Sequence, residues 1–249
     1  MKEIIAIVNR RGGCGKTSTA HAIGAGLAHK GFKVLFVDMD SQANLTYDEG
    51  RTAKGATTLE VLTGHATAEE AAMKCNNGYI IPASDSLAGA DVIITGTGKE
   101  YKLKEALEPL KDKFDYIIID TPPALGTLTA NALTAANSVI IPAQAEIHSL
   151  QGIGLLNETI TAVKKYCNPS LTIKGILLTR YNGRAIISKD MKDNLEAIAQ
   201  QLNTKLFPVP IRECTAVKEA QATRLDIFTY APNSNAAQDY EELLKEITK

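Results

Sequence analysis

Ile4-Ile5-Ala6-Ile7-Val8-Asn9-Arg10-Arg11-Gly12-Gly13-Cys14-Gly15-Lys16-Thr17-Ser18 is the stretch that decides how this chain folds. Its opening apolar run is too short for a helix and rich in β-branched residues, so it reads as a buried strand. At Asn9 the strand gives way to a glycine-rich turn closed by Gly15-Lys16-Thr17. Gly12, Gly13 and Gly15 permit unusual φ and leave the backbone bare, so that successive N–H groups converge on an anion. The helix that starts near Lys16 turns its positive dipole end to the same point. In such a cradle Lys16 reaches the β- and γ-phosphates of a nucleotide and the Thr17 hydroxyl ligates Mg²⁺. Arg11, Gly12, Gly13, Cys14, Gly15, Lys16, Thr17 and Ser18 are therefore the candidate nucleotide-binding residues of the loop.

Two more strand ends bring carboxylates to this cradle. Val34-Leu35-Phe36-Val37 is a second buried strand, and it ends in Asp38-Met39-Asp40-Ser41-Gln42-Ala43-Asn44. By itself that segment also reads as a solvated turn, but one βα unit after a phosphate loop it lies where open α/β sheets hold their ligands. Phe114-Asp115-Tyr116-Ile117-Ile118-Ile119-Asp120-Thr121-Pro122-Pro123 is a third strand with an Asp at its C-terminal end, and the prolines keep the chain from running straight into a helix. A buried Asp needs a partner, and beside a phosphate loop the economical one is Mg²⁺ through its water shell.

The loop does not fit the commoner pattern G-x-x-x-x-G-K-[ST], because Arg10 stands where the first Gly would be. It resembles instead the deviant Walker A loop, Lys-Gly-Gly-x-Gly-Lys-Thr, of the ParA and MinD ATPases, with Arg11 in place of the first Lys. The segment from Asp38 resembles that family's D-x-D-P-Q-G-N, with Ser41 and Ala43 for Pro and Gly. The family's D-T-P-P is matched by Asp120 to Pro123, and the match continues through Asn131-Ala132-Leu133. The resemblance implies that Thr17, Asp38 and Asp120 order the metal, that Asp40 positions the attacking water, and that Lys16 and Arg11 act on the phosphates. In that family the residue at the Arg11 position reaches across a nucleotide-sandwich dimer. The turn around Arg212 to Cys214 matches the place where the family encloses adenine.

At 249 residues, with 45% hydrophobic and 22% charged residues, the chain is expected to form one α/β domain over residues 1–249. The alternation of strands with helices implies a mainly parallel sheet covered on both faces in three layers. No apolar run approaches the roughly 20 residues of a membrane span, and the N-terminus enters a strand at once, so a cytoplasmic location is expected. Cys14, Cys75, Cys167 and Cys214 form no C-x-x-C, which argues against a zinc site or an iron-sulfur bridge. A formal net charge of −1 gives no global attraction to nucleic acid, yet Lys164 to Arg224 carries eleven Lys/Arg against five Asp/Glu.

Further elements are read in order as a helix over 16–29 capped by Gly31, short helical pieces at 58–62 and 86–91, a strand at 79–82 and an amphipathic helix over 101–110. Strands at 139–142, 173–179 and 206–207 and helices at 150–166 and 188–202 follow. The resemblance implies a Soj-like partition switch: a homodimer formed with ATP and Mg²⁺ that binds double-stranded DNA without sequence preference, is nucleoid-associated, and turns over slowly until a ParB-like partner stimulates it. Arg180, Arg184, Lys189, Lys192, Arg212, Lys218 and Arg224 are the candidate DNA contacts. Three other readings compete. A MinD-like membrane cycle needs a basic amphipathic C-terminal helix, and Asp239 to Ile247 is acidic on its polar face. An ATP-dependent ligase or reductase component needs further substrate or cysteine residues. A DNA-binding switch with negligible turnover would hold ATP without releasing phosphate.

Overall fold

The computed structural model describes residues 1–184 and 186–249, with the backbone alone for residues 147, 148 and 186–189. Its strands are β1 (Glu3–Ile7), β2 (Val34–Asp38), β3 (Met73–Cys75), β4 (Gly78–Ile81), β5 (Tyr116–Asp120), β6 (Ser138–Gln144) and β7 (Thr172–Thr179). They form one sheet in the order β3-β4-β2-β5-β1-β6-β7, parallel throughout except for the short β3–β4 hairpin at one edge. The early helices are α1 (Lys16–His29), α2 (Asn44–Asp48), α3 (Thr58–Thr63), α4 (Ala68–Ala71), α5 (Ala90–Ile93) and α6 (Lys102–Leu107). The later ones are α7 (Thr127–Ala135), α8 (Ile147–Tyr166), α9 (Ile186–Gln201), α10 (Thr215–Ala222), α11 (Ile227–Tyr230) and α12 (Asn235–Ile247).

The two-residue period of the strands sorts the core into two halves. Ile4, Ala6, Val8, Val37, Ile117 and Ile119 face the side covered by α3, α6, α7, α8 and α9. Ile5, Ile7, Phe36, Ile118 and Ile140 face the side covered by α1 and α12. Both faces are apolar along the central strands, which is why those strands read as unbroken hydrophobic runs rather than as alternation.

Helix α1 lies unusually close to its neighbours. A Cβ on Gly24 would stand 2.0 Å from the Phe36 ring, and one on Gly26 would stand 2.2 Å from Leu244 of α12. Past the end of α1, Gly31 takes the left-handed φ of 87° that the helix stop requires.

Some expected elements differ. The stretch over 101–110 is not one helix: α6 is preceded by a 3₁₀ turn at Lys99–Tyr101 and gives way to another at Glu108–Leu110, where Pro109 has no N–H to continue the α-helical ladder. Leu206 makes only an isolated parallel bridge to Ile176 rather than a strand.

The glycine packing yields a test. Gly→Ala inside a helix ordinarily stabilises by about 1 kcal/mol. Gly154 of α8 has open space around it and should follow that rule, whereas Gly24→Ala should destabilise by about 1–3 kcal/mol through overpacking. Urea midpoints of the two variants should move in opposite directions.

Candidate functional site

Because β5 lies between β1 and β2, three strand ends meet in one row. Ile7 pairs with Asp120, and Asp120 pairs with Asp38. The loop that follows β1 is thus brought beside both carboxylates, and neither carboxylate has exposed surface.

The two are served unequally. Asp38 accepts from Thr46 N at 2.9 Å, Thr46 Oγ1 at 2.7 Å and Asp40 N at 3.1 Å. Among the described residues the Asp120 carboxylate accepts only from the Thr17 hydroxyl, at 2.7 Å on Oδ2, and its buried Oδ1 finds no hydrogen-bond partner. Burial pushes Asp38 up to about 6 against the donations from Thr46. Burial, reinforced by the neighbouring Asp38, pushes Asp120 well above the usual carboxylate range, although Thr17 and Lys16 oppose it. An orphaned carboxylate oxygen beside a second carboxylate and a threonine hydroxyl is an oxygen-only donor set, which fits a hard divalent cation such as Mg²⁺.

The loop is held open by its neighbours. Gly13 and Gly15 have φ of 73° and 87°, a region that disfavours other residues. Gln144 Nε2 donates to Gly13 O at 2.9 Å, Thr179 Oγ1 to Cys14 O at 2.8 Å, and Arg11 N to Asn9 Oδ1 at 3.1 Å. Lys16 is buried and spans the loop, with Nζ donating to Arg11 O at 2.9 Å. Cys14 is buried within the loop, its Sγ donating to Arg11 O at 3.2 Å, and burial pushes its thiol up. The Arg11 guanidinium pairs with Glu146 of the same chain, just before α8.

A cavity of about 890 Å³ opens over the loop, lined by Gly12, Gly13, Gly15, Lys16, Thr17 and Ser18 at one end. Asp40 lines it too, and its Oδ1 accepts from Gln42 N at 3.0 Å. Ala43, which stands at the Gly position of the motif, adopts φ 51°, so the backbone keeps the glycine-like bend without glycine. Arg212 and Cys214 line the same cavity, as do Asp48, Gln221 and Tyr240. Gln221 and Tyr240 fall in Glu219-Ala220-Gln221 and Asp239-Tyr240, which resemble the C-terminal pattern of the partition branch. Asp48, like Gln144, Thr179 and Glu146, carries no motif and has as its sequence signal only its nearness to a strand end or a following helix.

The basic candidates are spread over several elements. Arg180, at φ 49°, pairs with Glu213 at 2.8 Å, Lys192 approaches Glu196 at 3.7 Å, and Arg212 pairs with Asp239 at 2.7 Å. The Arg224 guanidinium lies 4.2 Å from the centre of the Tyr47 ring. Arg180 and Lys218 line the cavity, and Arg184 is exposed. The Lys189 side chain lies outside the described residues.

Comparison with known proteins agrees with this geometry. The family described as "AAA domain" matches residues 2–173. The chain is 38% identical over 252 residues to the sporulation initiation inhibitor protein Soj of Bacillus subtilis (strain 168), covering 99% of this chain and 98% of that one. It is 36% identical over 251 residues to the chromosome partitioning protein ParA of Myxococcus xanthus (strain DK1622), covering 99% and 88%. Among solved structures, cobyrinic acid a,c-diamide synthase from Mycobacterium smegmatis with bound ADP and magnesium superposes with a TM-score of 0.86 at 34% identity, covering 100% of this chain and 94% of that one. A putative plasmid partition protein from Borrelia burgdorferi B31 bound to AMPPNP gives 0.82 at 27% identity, covering 100% and 99%.

The buried carboxylates make a pH-dependent prediction. The folded form holds the Asp120 proton more tightly than the unfolded chain does, so its contribution favours folding below the unfolded carboxylate range and is lost as pH rises. Asp120→Asn keeps the Thr17 bond and removes the charge. Without metal, it should melt above the wild type at neutral pH, and the difference should close near pH 4.

Proposed function

Because the chain belongs to the Soj/ParA family of partition ATPases, we propose that it is an ATP-hydrolysing switch for moving a plasmid or chromosome. In this reading residues 1–249 act as one ATPase domain. ATP joins two copies across their phosphate loops, the dimer binds duplex DNA without sequence preference, and a ParB-like partner stimulates slow turnover. The observation that carries it is the meeting of Lys16, Thr17 and Asp40 on the wall of one cavity with the buried pair Asp38 and Asp120 directly behind Thr17.

Thr17, Asp38 and Asp120 would hold Mg²⁺, which when bound neutralises charge on the phosphates. Lys16 and the backbone N–H groups of Gly12 to Ser18 bind the phosphate chain and fix its direction. Asp40, on the cavity wall rather than in the buried pair, orients water and accepts its proton. Arg11 adds positive charge to the phosphates of the partner copy after exchanging Glu146 for them. Arg212 and Cys214 border the base. Arg180, Arg184, Lys189, Lys192, Lys218 and Arg224 supply phosphate contacts to DNA, and binding should weaken steeply with salt. Location in the cytoplasm on the nucleoid follows from that activity.

A membrane cycle is disfavoured by α12. Its apolar residues Leu243, Leu244 and Ile247 are buried in the core, and its outer face carries Glu241, Glu242 and Glu246. Among the described residues no helix is long and apolar enough to cross a membrane. The likeness to the M. smegmatis synthase favours one second reading, ATP-driven amide formation. Phosphate release that required a carboxylic acid and ammonia, and ignored DNA, would favour it.

Two variants test the roles. Lys16→Ala should lose about ten- to hundred-fold in ATP affinity, measured by calorimetry, since charge-assisted bonds are removed. Asp40→Ala should still bind ATP and dimerise in light scattering, yet hydrolyse about 10²–10⁴-fold more slowly. Normal turnover by Asp40→Ala would assign the water to another group.

A further inference from the structure

Besides the loop, the cavity is lined by Arg212, Cys214, Val217, Lys218 and Tyr240, whose arrangement the phosphate chemistry does not explain. The segment at Arg212 is tied to the extension of β7: Ile211 N donates to Leu178 O at 2.8 Å, Tyr181 N to Ile211 O at 2.9 Å, and Glu213 N to Tyr181 O at 3.1 Å. From the opposite side it is gripped by Asp239 of α12. That carboxylate accepts from Arg212 N at 2.9 Å, from Nε at 2.9 and 3.1 Å, and from NH2 at 2.7 Å.

One carboxylate thus holds both the backbone and one edge of the guanidinium, and it is itself only 5% exposed. A bidentate carboxylate fixes the plane of a guanidinium as a single bond does not. A planar cation on a cavity wall suits the face of an aromatic ring. With the phosphates at the glycine loop and the acidic groups Asp38, Asp40 and Asp120 beside it, the cationic wall is the one left for a purine. The next residue, Tyr240, places its hydroxyl 3.4 Å from Thr19 Oγ1 in α1, so α12 touches both that wall and the helix that starts at the phosphate loop.

We propose that Asp239 is a positioning residue that holds the Arg212 guanidinium as a flat shelf for the purine, and so sets how much the base adds to phosphate binding. The proposal rests on the nucleotide-switch reading above. Asp239 touches neither phosphate nor base; it acts through Arg212.

The test compares ATP with inorganic tripolyphosphate, which has no base, by calorimetry on the full chain. Asp239→Asn should weaken ATP about ten-fold, the size of a lost cation–π contact in a partly desolvated site, and leave tripolyphosphate within about two-fold. Arg212→Lys keeps the charge without the flat fork and should reproduce that selective loss even if Asp239→Asn folds poorly. In steady state Asp239→Asn should raise KM for ATP and leave kcat unchanged. Equal loss of ATP and tripolyphosphate, or no change in either, would overturn the proposal. A wild-type protein that bound tripolyphosphate as well as ATP would remove the base shelf while leaving the phosphate cradle intact. One that bound neither would sink the nucleotide switch itself, and the shelf with it.

Discussion

Two carboxylates side by side without exposed surface, at the ends of adjacent strands, set the terms for the rest of this molecule. Parallel pairing puts Asp38 opposite Asp120 with no freedom to drift apart, since each is fixed by its strand register. Like charges so close and so buried are unfavourable unless a cation joins them or a proton is taken up. Thr46 serves one carboxylate, Thr17 half-serves the other, and Lys16 adds its field from the loop. The glycine loop, the helix dipole behind it and the order of the central strands all converge on relieving that one strain.

The cations that pair with carboxylates elsewhere than in the buried site follow a different rule. Arg11, Arg180, Lys192 and Arg212 each have a carboxylate within reach, on a neighbouring element or on the next helical turn. At exposed sites such pairs contribute little, about 0–1 kcal/mol. They are therefore easily exchanged for a phosphate. Arg212 differs because its partner Asp239 is buried and takes four bonds from it.

Much of this was legible in the sequence because the motifs sit on elements with strong local signals. The runs at 4–8, 34–37 and 114–120 read as buried strands, and they lead into the glycine loop, into Asp38 and into Asp120. What could not be read is pairing across the sheet. Nothing in the order of the chain says that β5 inserts between β1 and β2 and so aligns Asp38 with Asp120. The partners from distant segments were equally silent: Gln144 and Thr179 supporting the loop, Glu146 holding Arg11, and, although Asp239-Tyr240 resembles the partition family's pattern, the pairing of Asp239 with Arg212. Each is an ordinary polar residue until the fold supplies its neighbour. The run at 101–110 failed for a local reason, since an amphipathic pattern outlasted the α-helix that Pro109 interrupts. Ala43 shows the reverse, a backbone bend kept after the glycine that usually permits it has gone.

The absence of side chains at Gly24 and Gly26 also bears on how the molecule can move. With Phe36 and Leu244 pressed onto its backbone, α1 has no clearance to slide or roll against β2 or α12. The segments at the strand ends are not pinned in that way: the turn from Asp40 to Ala43, the loop carrying Glu146 and the wall at Arg212 have more room than the helix that begins at the loop, so any rearrangement at the mouth of the cavity costs least there.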